Sequence, residues 1–187
     1  MNATSIKGKT VVITGAASGI GRALALGFLA DGAAVVGCDL SRDGLEDIRR
    51  KGAATVECDV TSHKDWQDLM DFTMGLTGRI DVLFNNAGID VRGTIEQVDA
   101  RKFEQCIRVH LLSGFHGLNV ALPHMRSQGY GRVVNMLSRG MESQSRGWAG
   151  YASAKAGMFA LTRIAAVEVA ECDIPVNGMI PGPHARR

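Results

Sequence analysis

The sequence lacks the features that mark several classes of protein. Its four cysteines form no Cys-x-x-Cys pair and lie far apart in the chain, which predicts reduced thiols in an intracellular protein rather than a disulfide framework. Its five histidines have no metal-ligand spacing, so no metal site is expected. No window is long and apolar enough to span a membrane, and residues 1–8 carry no apolar segment typical of a signal peptide. These absences predict a cytoplasmic location.

An excess of charge of one sign is also absent. The net charge is +2, and the basic and acidic residues are scattered along the whole chain. This distribution argues against a nucleic acid or an anionic membrane as partner. The sequence contains no internal repeat, linker or low-complexity tract, and 187 residues suffice for one core. A single domain over residues 1–187 is therefore expected.

What the sequence does contain is a glycine-rich turn near its start. The stretch KTVVITGAASGIG, residues 9–21, runs from an apolar strand through Gly15 and Gly19 to Gly21 and into a helical pattern. Glycine lets the backbone approach a pyrophosphate, and the helix N-terminus beyond it attracts anions. The spacing Gly-x-x-x-Gly-x-Gly differs from the common G-x-G-x-x-G fingerprint. An ordinary strand-to-helix turn therefore remains an alternative at this point.

Apolar periodicity predicts strands that alternate with helices. Helical spacing covers residues 20–30, 45–51, 66–76, 100–128 and 151–171, and the fourth helix is expected to be interrupted near Pro123. Short apolar runs predict strands over residues 11–14, 33–38, 55–58, 80–84, 132–137 and 175–180. Residues 140–150 are polar and predict a loop. The strands are continuously apolar, so the pattern indicates an α/β fold with a parallel sheet covered on both faces.

Polar or turn-forming residues collect where these strands end. They are Gly15, Asp39, Asp59, Asn86, Ser138 and Pro181. The carboxyl ends of parallel strands meet at one edge of a sheet, and open α/β sheets bind their ligands there. A ligand site at this edge is therefore predicted.

Asp39 ends the second predicted strand and is the candidate for cofactor selection. A carboxylate at this point of a dinucleotide-binding fold accepts hydrogen bonds from the adenosine ribose and repels a 2′-phosphate. NAD is therefore predicted in preference to NADP. Arg42 lies three residues later and offers an alternative partner for a phosphate, although a surface position at the start of a helix is the favoured explanation.

Tyr151 and Lys155 are the candidates for acid/base chemistry. They stand four apart in a predicted helix, which puts them on one face within reach of each other. A free phenol titrates near pH 10, and a neighbouring ammonium favours the phenolate. Ser138, at the end of the adjacent predicted strand, would supply a hydroxyl that orients a substrate oxygen.

Taken together, these motifs resemble the short-chain dehydrogenase/reductase family. The resemblance runs from Lys9 to Gly182 and is carried by Thr14-Gly15-x-x-x-Gly19-Ile20-Gly21, Asp59-Val60, Asn85-Asn86-Ala87-Gly88, Ser138, Tyr151-x-x-x-Lys155 and Pro181-Gly182. It implies a three-layer αβα Rossmann-like doubly wound parallel sheet with strand order 3-2-1-4-5-6. It also implies an NAD(P)-linked oxidoreductase that interconverts an alcohol and a ketone.

The resemblance assigns a role to each matching residue. Tyr151 would be the general acid/base, Lys155 would bind the nicotinamide ribose and favour the phenolate, and Ser138 would hold the substrate oxygen. The cofactor would contact Gly15, Ser18, Gly19, Ile20 and Gly21 at its pyrophosphate, Asp39 at its adenosine ribose, Asp59 and Val60 at its adenine, Asn86, Ala87 and Gly88 at the floor of the site, and residues 180–182, with Pro181 and Gly182, at its nicotinamide.

The chain departs from the family pattern at two places. His110 stands where the family usually has an asparagine that holds a water against the lysine; an imidazole that binds water or relays a proton and a packed, non-catalytic histidine are both open. The family also continues after the Pro-Gly pair with a substrate lid, a helix and a last edge strand, and Arg186 corresponds to a threonine often found there. These departures leave a second possibility, a nucleotide-binding scaffold or a silent partner subunit with little turnover.

The loop before Tyr151 and the long helices carry the remaining expectations. Gln144, Arg146 and Trp148 would border the substrate and suggest polar or anionic character, although a solvated loop explains them as well. The family pairs the two long helices in its dimers, and small residues in the helix after Tyr151 would permit close pairing, although they would equally let the helix approach the sheet and the cofactor. A homodimer or homotetramer acting on a small alcohol or ketone is therefore expected.

Overall fold

The fold is built on one parallel sheet of six strands. The computed structural model describes residues 5–142 and 145–182, so Gln144 and Arg186 lie outside the described residues. The strands are β1 (Thr10–Thr14), β2 (Ala34–Asp39), β3 (Ala54–Glu57), β4 (Val82–Asn85), β5 (Arg132–Met136) and β6 (Val176–Met179). Their order is β3-β2-β1-β4-β5-β6, and every neighbouring pair is parallel. This confirms the predicted order 3-2-1-4-5-6.

Helices cover both faces of the sheet. They are α1 (Gly19–Ala30), α2 (Arg42–Arg50), α3 (His63–Thr77), α4 (Ala100–Ile107), α5 (Ser113–Ser127) and α6 (Ala149–Glu168). Short polar side chains set several of the starts, because Ser41, Ser62 and Asp99 each accept a hydrogen bond from the first turn of the helix that follows. The connection between each strand and its helix therefore lies at the carboxyl edge of the sheet.

Two apolar clusters fill the space between the layers. One joins Trp66, Met70 and Met125 with the sheet at Leu83, and the other packs Ile48 and its neighbours against β1. All five residues of β1 are buried, which fits a central strand covered on both faces. The core thus fixes the strands whose ends carry the polar residues.

The predicted interruption of the long helix near Pro123 is wrong. Pro123 lies inside α5, while a π-helical turn at Arg108–Leu112 joins α4 to α5. Asn119 and Pro123 are both exposed, so the carbonyl that loses its helical partner to the proline ring remains accessible to water. The π-helical turn is the real irregularity, and it contains His110.

The ends of the last elements also differ slightly from the prediction. Helix α6 begins at Ala149 and ends at Glu168, and the expected polar loop before it contains a 3-10 turn at Arg139–Met141. Strand β6 lies at an edge of the sheet, and three of its four residues are exposed. Among the described residues, no helix is long and apolar enough to cross a membrane.

Candidate active site

Five of the six predicted strand ends meet in one cleft of about 530 Å³ at the carboxyl edge of the sheet. The predicted site residues that line it are Gly15, Ser18, Gly19, Ile20, Asp39, Asn86, Ala87, Gly88, His110, Ser138, Tyr151, Lys155 and Pro181. The parallel arrangement explains this convergence, because each strand delivers its terminal residue to the same edge. One elongated site therefore collects the glycine turn and the candidate acid/base residues.

The glycine turn is packed too tightly for side chains at two of its positions. A Cβ at Gly21 would lie 2.1 Å from the Gly15 carbonyl oxygen, and a Cβ at Gly15 would lie 2.9 Å from the Ala87 Cα. Gly15 also has a φ of +66°, a value that suits glycine. The turn is therefore pressed against the chain that follows β4.

The third glycine faces open space instead. Gly19 has a φ of +52°, and a Cβ there would meet no heavy atom of the described residues within 4 Å. Gly19 begins α1, and the Ser18 side chain does not cap this helix. The first backbone N–H groups of α1 thus have no side-chain acceptor at Ser18, and such a helix N-terminus favours a phosphate. Gly15, Ser18 and Gly19 thus form a phosphate cradle that fits a dinucleotide pyrophosphate.

Thr14 ties the turn to the end of β4. Its Oγ1 accepts hydrogen bonds from the backbone N–H groups of Asn86 and Ala87, each at 3.0 Å. The Asn86 amide in turn donates to the Thr14 carbonyl at 2.9 Å and the Gly15 carbonyl at 3.3 Å. The floor and the phosphate turn of the cleft therefore form one hydrogen-bonded unit.

The Asp39 carboxylate stands at the other end of this unit. Its two oxygens accept hydrogen bonds from the backbone N–H groups of Ala17 and Ser41, both at 3.1 Å. These bonds hold the carboxylate at the rim of the cleft. Arg42 forms an ion pair with Glu57 instead of facing the cleft. Asp39 thus presents its carboxylate to the cleft, and Arg42 does not line it.

Lys155 is the most deeply buried charged group of the cleft. It is 5% exposed, its Nζ donates to the Met136 carbonyl oxygen at 2.5 Å, and Nζ lies 5.7 Å from the centre of the Tyr151 ring. Burial lowers the pKa of Lys155 to about 8. Helix α6 delivers both residues from adjacent turns of one face.

Ser138 lies beside the tyrosine at the end of β5. Its Oγ accepts a hydrogen bond from the Gly140 N–H at 3.1 Å, which fixes the hydroxyl in place. A Cβ at Gly140 would lie 3.3 Å from both the Ser138 Oγ and the Tyr151 ring. The serine and the tyrosine therefore flank the same glycine, and both line the cleft.

His110 enters the cleft from the π-helical turn. Its Nε2 lies 2.7 Å from the Ile89 carbonyl oxygen and 3.1 Å from the Ile89 backbone nitrogen, and its ring meets the Tyr151 ring edge-on at 5.0 Å between centres. Burial, with a smaller effect of the Lys155 charge, lowers the pKa of His110 to about 4. The imidazole is therefore neutral at pH 7. Its Nδ1 is buried and has no hydrogen-bond partner within the described part of the chain.

Some predicted site residues lie elsewhere. Asp59 and Val60 follow β3 and are held by residues further along the chain: the Asp59 carboxylate accepts from Thr61 in the loop before α3, and the Val60 carbonyl accepts from the Trp66 indole in α3. Neither borders the cleft formed by the described residues, and the same holds for Gly182. Arg146 lines a separate hollow of about 400 Å³ with Trp148.

Two residues that no sequence motif indicates also line the cleft. Arg92 and Asp90 follow β4, and the Arg92 guanidinium lies over the Trp148 ring, with its Cζ 3.7 Å from the ring centre. The Asp90 carboxylate accepts from the Arg92 Nε at 2.6 Å. The feature of the sequence that could have indicated them is their position two and four residues after the Asn-Asn-Ala-Gly stretch. Across residues 5–142 and 145–182, no group of three or more potential metal ligands is present.

Comparison with known proteins gives a consistent result. A family model described as short chain dehydrogenase matches residues 9–185. The 7alpha-hydroxysteroid dehydrogenase of Escherichia coli (strain K12) is 33% identical over 183 residues, which cover 95% of this chain and 71% of that protein. The D-beta-hydroxybutyrate dehydrogenase of Rhizobium meliloti (strain 1021) is 34% identical over 182 residues, which cover 93% of this chain and 70% of that protein.

The fold comparison gives the same result. The crystal structure of NAD+-bound xylitol dehydrogenase matches with a TM-score of 0.91 at 32% identity, over 97% of this chain and 74% of that one. This chain is thus similar to nearly three quarters of that structure.

Proposed function

The chain belongs to the short-chain dehydrogenase family, and from this membership we propose that it interconverts a secondary alcohol and a ketone. Tyr151 is the general acid/base of the proposed reaction, and NAD is the proposed cofactor. The observation that supports this most directly is the convergence of Ser138, Tyr151 and buried Lys155 on one cleft that also contains the glycine turn. A phosphate cradle and a proton-transfer group in the same cleft are what dinucleotide-linked alcohol chemistry requires.

In the proposed reaction Tyr151 exchanges a proton with the substrate oxygen. The Ser138 hydroxyl, fixed by Gly140, positions that oxygen. Lys155 places its Nζ 5.7 Å from the centre of the Tyr151 ring, and both side chains line the cleft.

His110 takes the place of the family asparagine in this proposal. Its Nε2 is engaged by the Ile89 backbone, so Nδ1 is the atom left to hold a water molecule or a proton near Lys155. A Cβ at Gly88 would lie 2.5 Å from the His110 ring, so the glycine makes room for the larger side chain.

The residues of the cleft fit NAD. Gly15, Ser18 and Gly19 would hold the pyrophosphate, Asp39 the adenosine ribose, and Tyr151 and Lys155 the nicotinamide ribose. When bound, the nicotinamide supplies the acceptor or donor of the transferred hydride. Asp39 supports NAD over NADP, because its carboxylate would repel a 2′-phosphate and Arg42 is paired with Glu57.

Two measurements test this proposal. Titration calorimetry with NAD and NADP tests the cradle and Asp39, and we expect NAD to bind more tightly. Turnover of an alcohol and ketone panel then tests the chemistry, and Tyr151→Phe should abolish turnover while cofactor binding persists. A Tyr151→Phe protein that turns over substrate at the rate of the unmodified protein would disprove the assignment of Tyr151.

A second candidate function is nucleotide binding without turnover, either as a scaffold or as the silent partner of an active subunit. The buried, neutral His110 at the asparagine position supports it. This candidate predicts NAD binding with no turnover of the panel, even in the variant His110→Asn. Activity gained on mixing with a full-length relative would identify the partner-subunit form.

We also propose a homodimer or homotetramer formed through α5 and α6. Large apolar side chains are exposed on these helices, at Phe115, Phe159, Ile164 and Val167. The last two border a hollow of about 740 Å³ along α6. Sedimentation should therefore show an oligomer, and the variant Val167→Asp should dissociate it.

The four free cysteines support a reducing compartment such as the cytoplasm.

A further inference from the structure

The end of the cleft beside Tyr151 carries a cation that the proposed chemistry does not use. Arg92 lines the cleft together with Ser138 and Tyr151. About half of its side chain is exposed, so the guanidinium is neither buried in the core nor extended into solvent. Trp148 supports it from one side and is itself packed edge-on against the Tyr151 ring, at 5.2 Å between centres.

The backbone holds this cation in place. Gly93 donates a hydrogen bond to the Gly147 carbonyl at 3.0 Å, and Gly93 pairs with Trp148 in a short parallel bridge. The chain after β4 and the chain before α6 are therefore joined directly next to the stacked pair. A guanidinium that is already stacked and joined to a fixed backbone loses less conformational freedom when it binds a ligand.

The donors of Arg92 are only partly used. Its Nε donates to Asp90, and the two η nitrogens have no hydrogen-bond acceptor among residues 5–142 and 145–182. A guanidinium with two free donors in one plane matches the two oxygens of a carboxylate. Asp90 offsets one positive charge at this end of the cleft, while Lys155 adds another, so the local balance is positive.

We propose that Arg92 determines substrate specificity and binds the carboxylate of a hydroxy-acid or oxo-acid substrate. This inference rests on the proposed function, because it concerns which alcohol or ketone the site accepts. The carboxylate is unchanged by the reaction and serves to orient the carbon that bears the reacting oxygen. A neutral substrate would gain hydrogen bonds from Arg92 without the charge attraction.

Matched pairs of acid and amide substrates test the inference kinetically. The probes are 2-oxobutanoate, acetoacetate and 4-oxopentanoate, each with its primary amide, so that the members of a pair differ in charge and little in shape. In Arg92→Gln we expect the ratio of kcat/KM for acid over amide to fall about 10- to 100-fold, mainly through KM. Arg92→Lys should retain part of the preference, because it keeps the charge and loses the planar fork.

Arg108→Gln is the matched control. Arg108 is similarly exposed and pairs with its own carboxylate, Glu104, at 3.0 Å, but it lies outside the cleft lining. The acid-over-amide ratio should not change in this variant. An equal fall for acid and amide in Arg92→Gln, or an unchanged ratio, would overturn the inference. A preference lost in Arg146→Glu but not in Arg92→Gln would overturn it as well.

A binding experiment separates this inference from the proposed function. The indole N–H resonance of Trp148 reports on ligands at Arg92, while that of buried Trp66, which donates to the Val60 carbonyl, serves as an internal reference. Acetoacetate should shift the Trp148 signal, and acetoacetamide should not. If the protein turns over no substrate, the proposed function fails, but a carboxylate-selective shift that is absent in Arg92→Gln still supports the anion site. Absence of that shift overturns it.

Discussion

Replacing Lys155 with methionine is predicted to stabilise the fold while it removes activity. Lys155 is 5% exposed, and burial lowers its pKa from 10.5 to about 8. The folded protein therefore holds this ammonium at a cost that the unfolded chain does not have. Methionine has a similar length and no charge, so it can occupy the same space.

The expected gain follows from two opposing contributions. The difference between the ordinary lysine pKa and the value in the cleft corresponds to ~3 kcal/mol at pH 7. Loss of the hydrogen bond from Nζ to the Met136 carbonyl offsets about 1 kcal/mol of this. Lys155→Met should therefore raise the free energy of unfolding by ~2 kcal/mol at pH 7.

Urea unfolding at pH 7 and at pH 10 provides the assay. Between about pH 8 and pH 10.5 the folded lysine has released a proton that the unfolded lysine still holds, so the stability of the unmodified protein rises with pH in this window. The difference in the free energy of unfolding between Lys155→Met and the unmodified protein should therefore shrink over the same window. Lys102→Met, at an exposed position of α4, should show no such pH-dependent difference. A Lys155→Met protein that is less stable at pH 7, or a difference that stays constant up to pH 10, would refute the reasoning.

Three further outcomes are expected. Asp39→Asn removes the charge that would repel a 2′-phosphate, so calorimetry should show the NAD-over-NADP affinity ratio falling about tenfold. Gly21→Ala should lower the free energy of unfolding by ~2 kcal/mol or more, because its Cβ would lie 2.1 Å from the Gly15 carbonyl oxygen; Gly27→Ala, on the open side of the same helix, should raise it by up to ~1 kcal/mol. Folded His110 has a pKa of about 4 against an ordinary 6.5, so stability should fall as the pH drops from 6.5 to 4, and urea unfolding of His110→Asn should show a smaller fall.

The sheet and its functional edge could be predicted because both depend on local patterns. An apolar run that ends in a polar residue marks a buried parallel strand and its carboxyl end in the same few residues. The positions of Asp39 and Ser138 at this edge could therefore be predicted without knowledge of tertiary contacts. The glycine spacing similarly follows from a local need, since only a residue without Cβ fits at Gly21.

The features that were missed depend on contacts between distant parts of the chain. Proline usually breaks a helix, yet Pro123 is accommodated on an exposed face of α5. The irregularity lies instead at Arg108–Leu112, where no residue type predicts it. Nothing in the sequence distinguishes Arg92 from the other arginines. Its position against Trp148 depends on the pairing of Gly93 with Trp148, which lie in two separate loops. Neither composition nor residue spacing predicts that pairing.

The π-helical turn also separates the position of His110 in the cleft from the packing of the helix that follows it. Such a turn is an α-helix with one extra residue, and one residue corresponds to about 100° of rotation around the axis. Deleting a single residue within Arg108–Leu112 would restore regular helical bonding and turn one flank relative to the other. Either His110 would leave the cleft or the close contact of Gly117 with Trp66 would be lost. A length change of one residue in this helix is therefore a route by which members of the fold could gain or lose a side chain at the position of His110 while keeping all six strands.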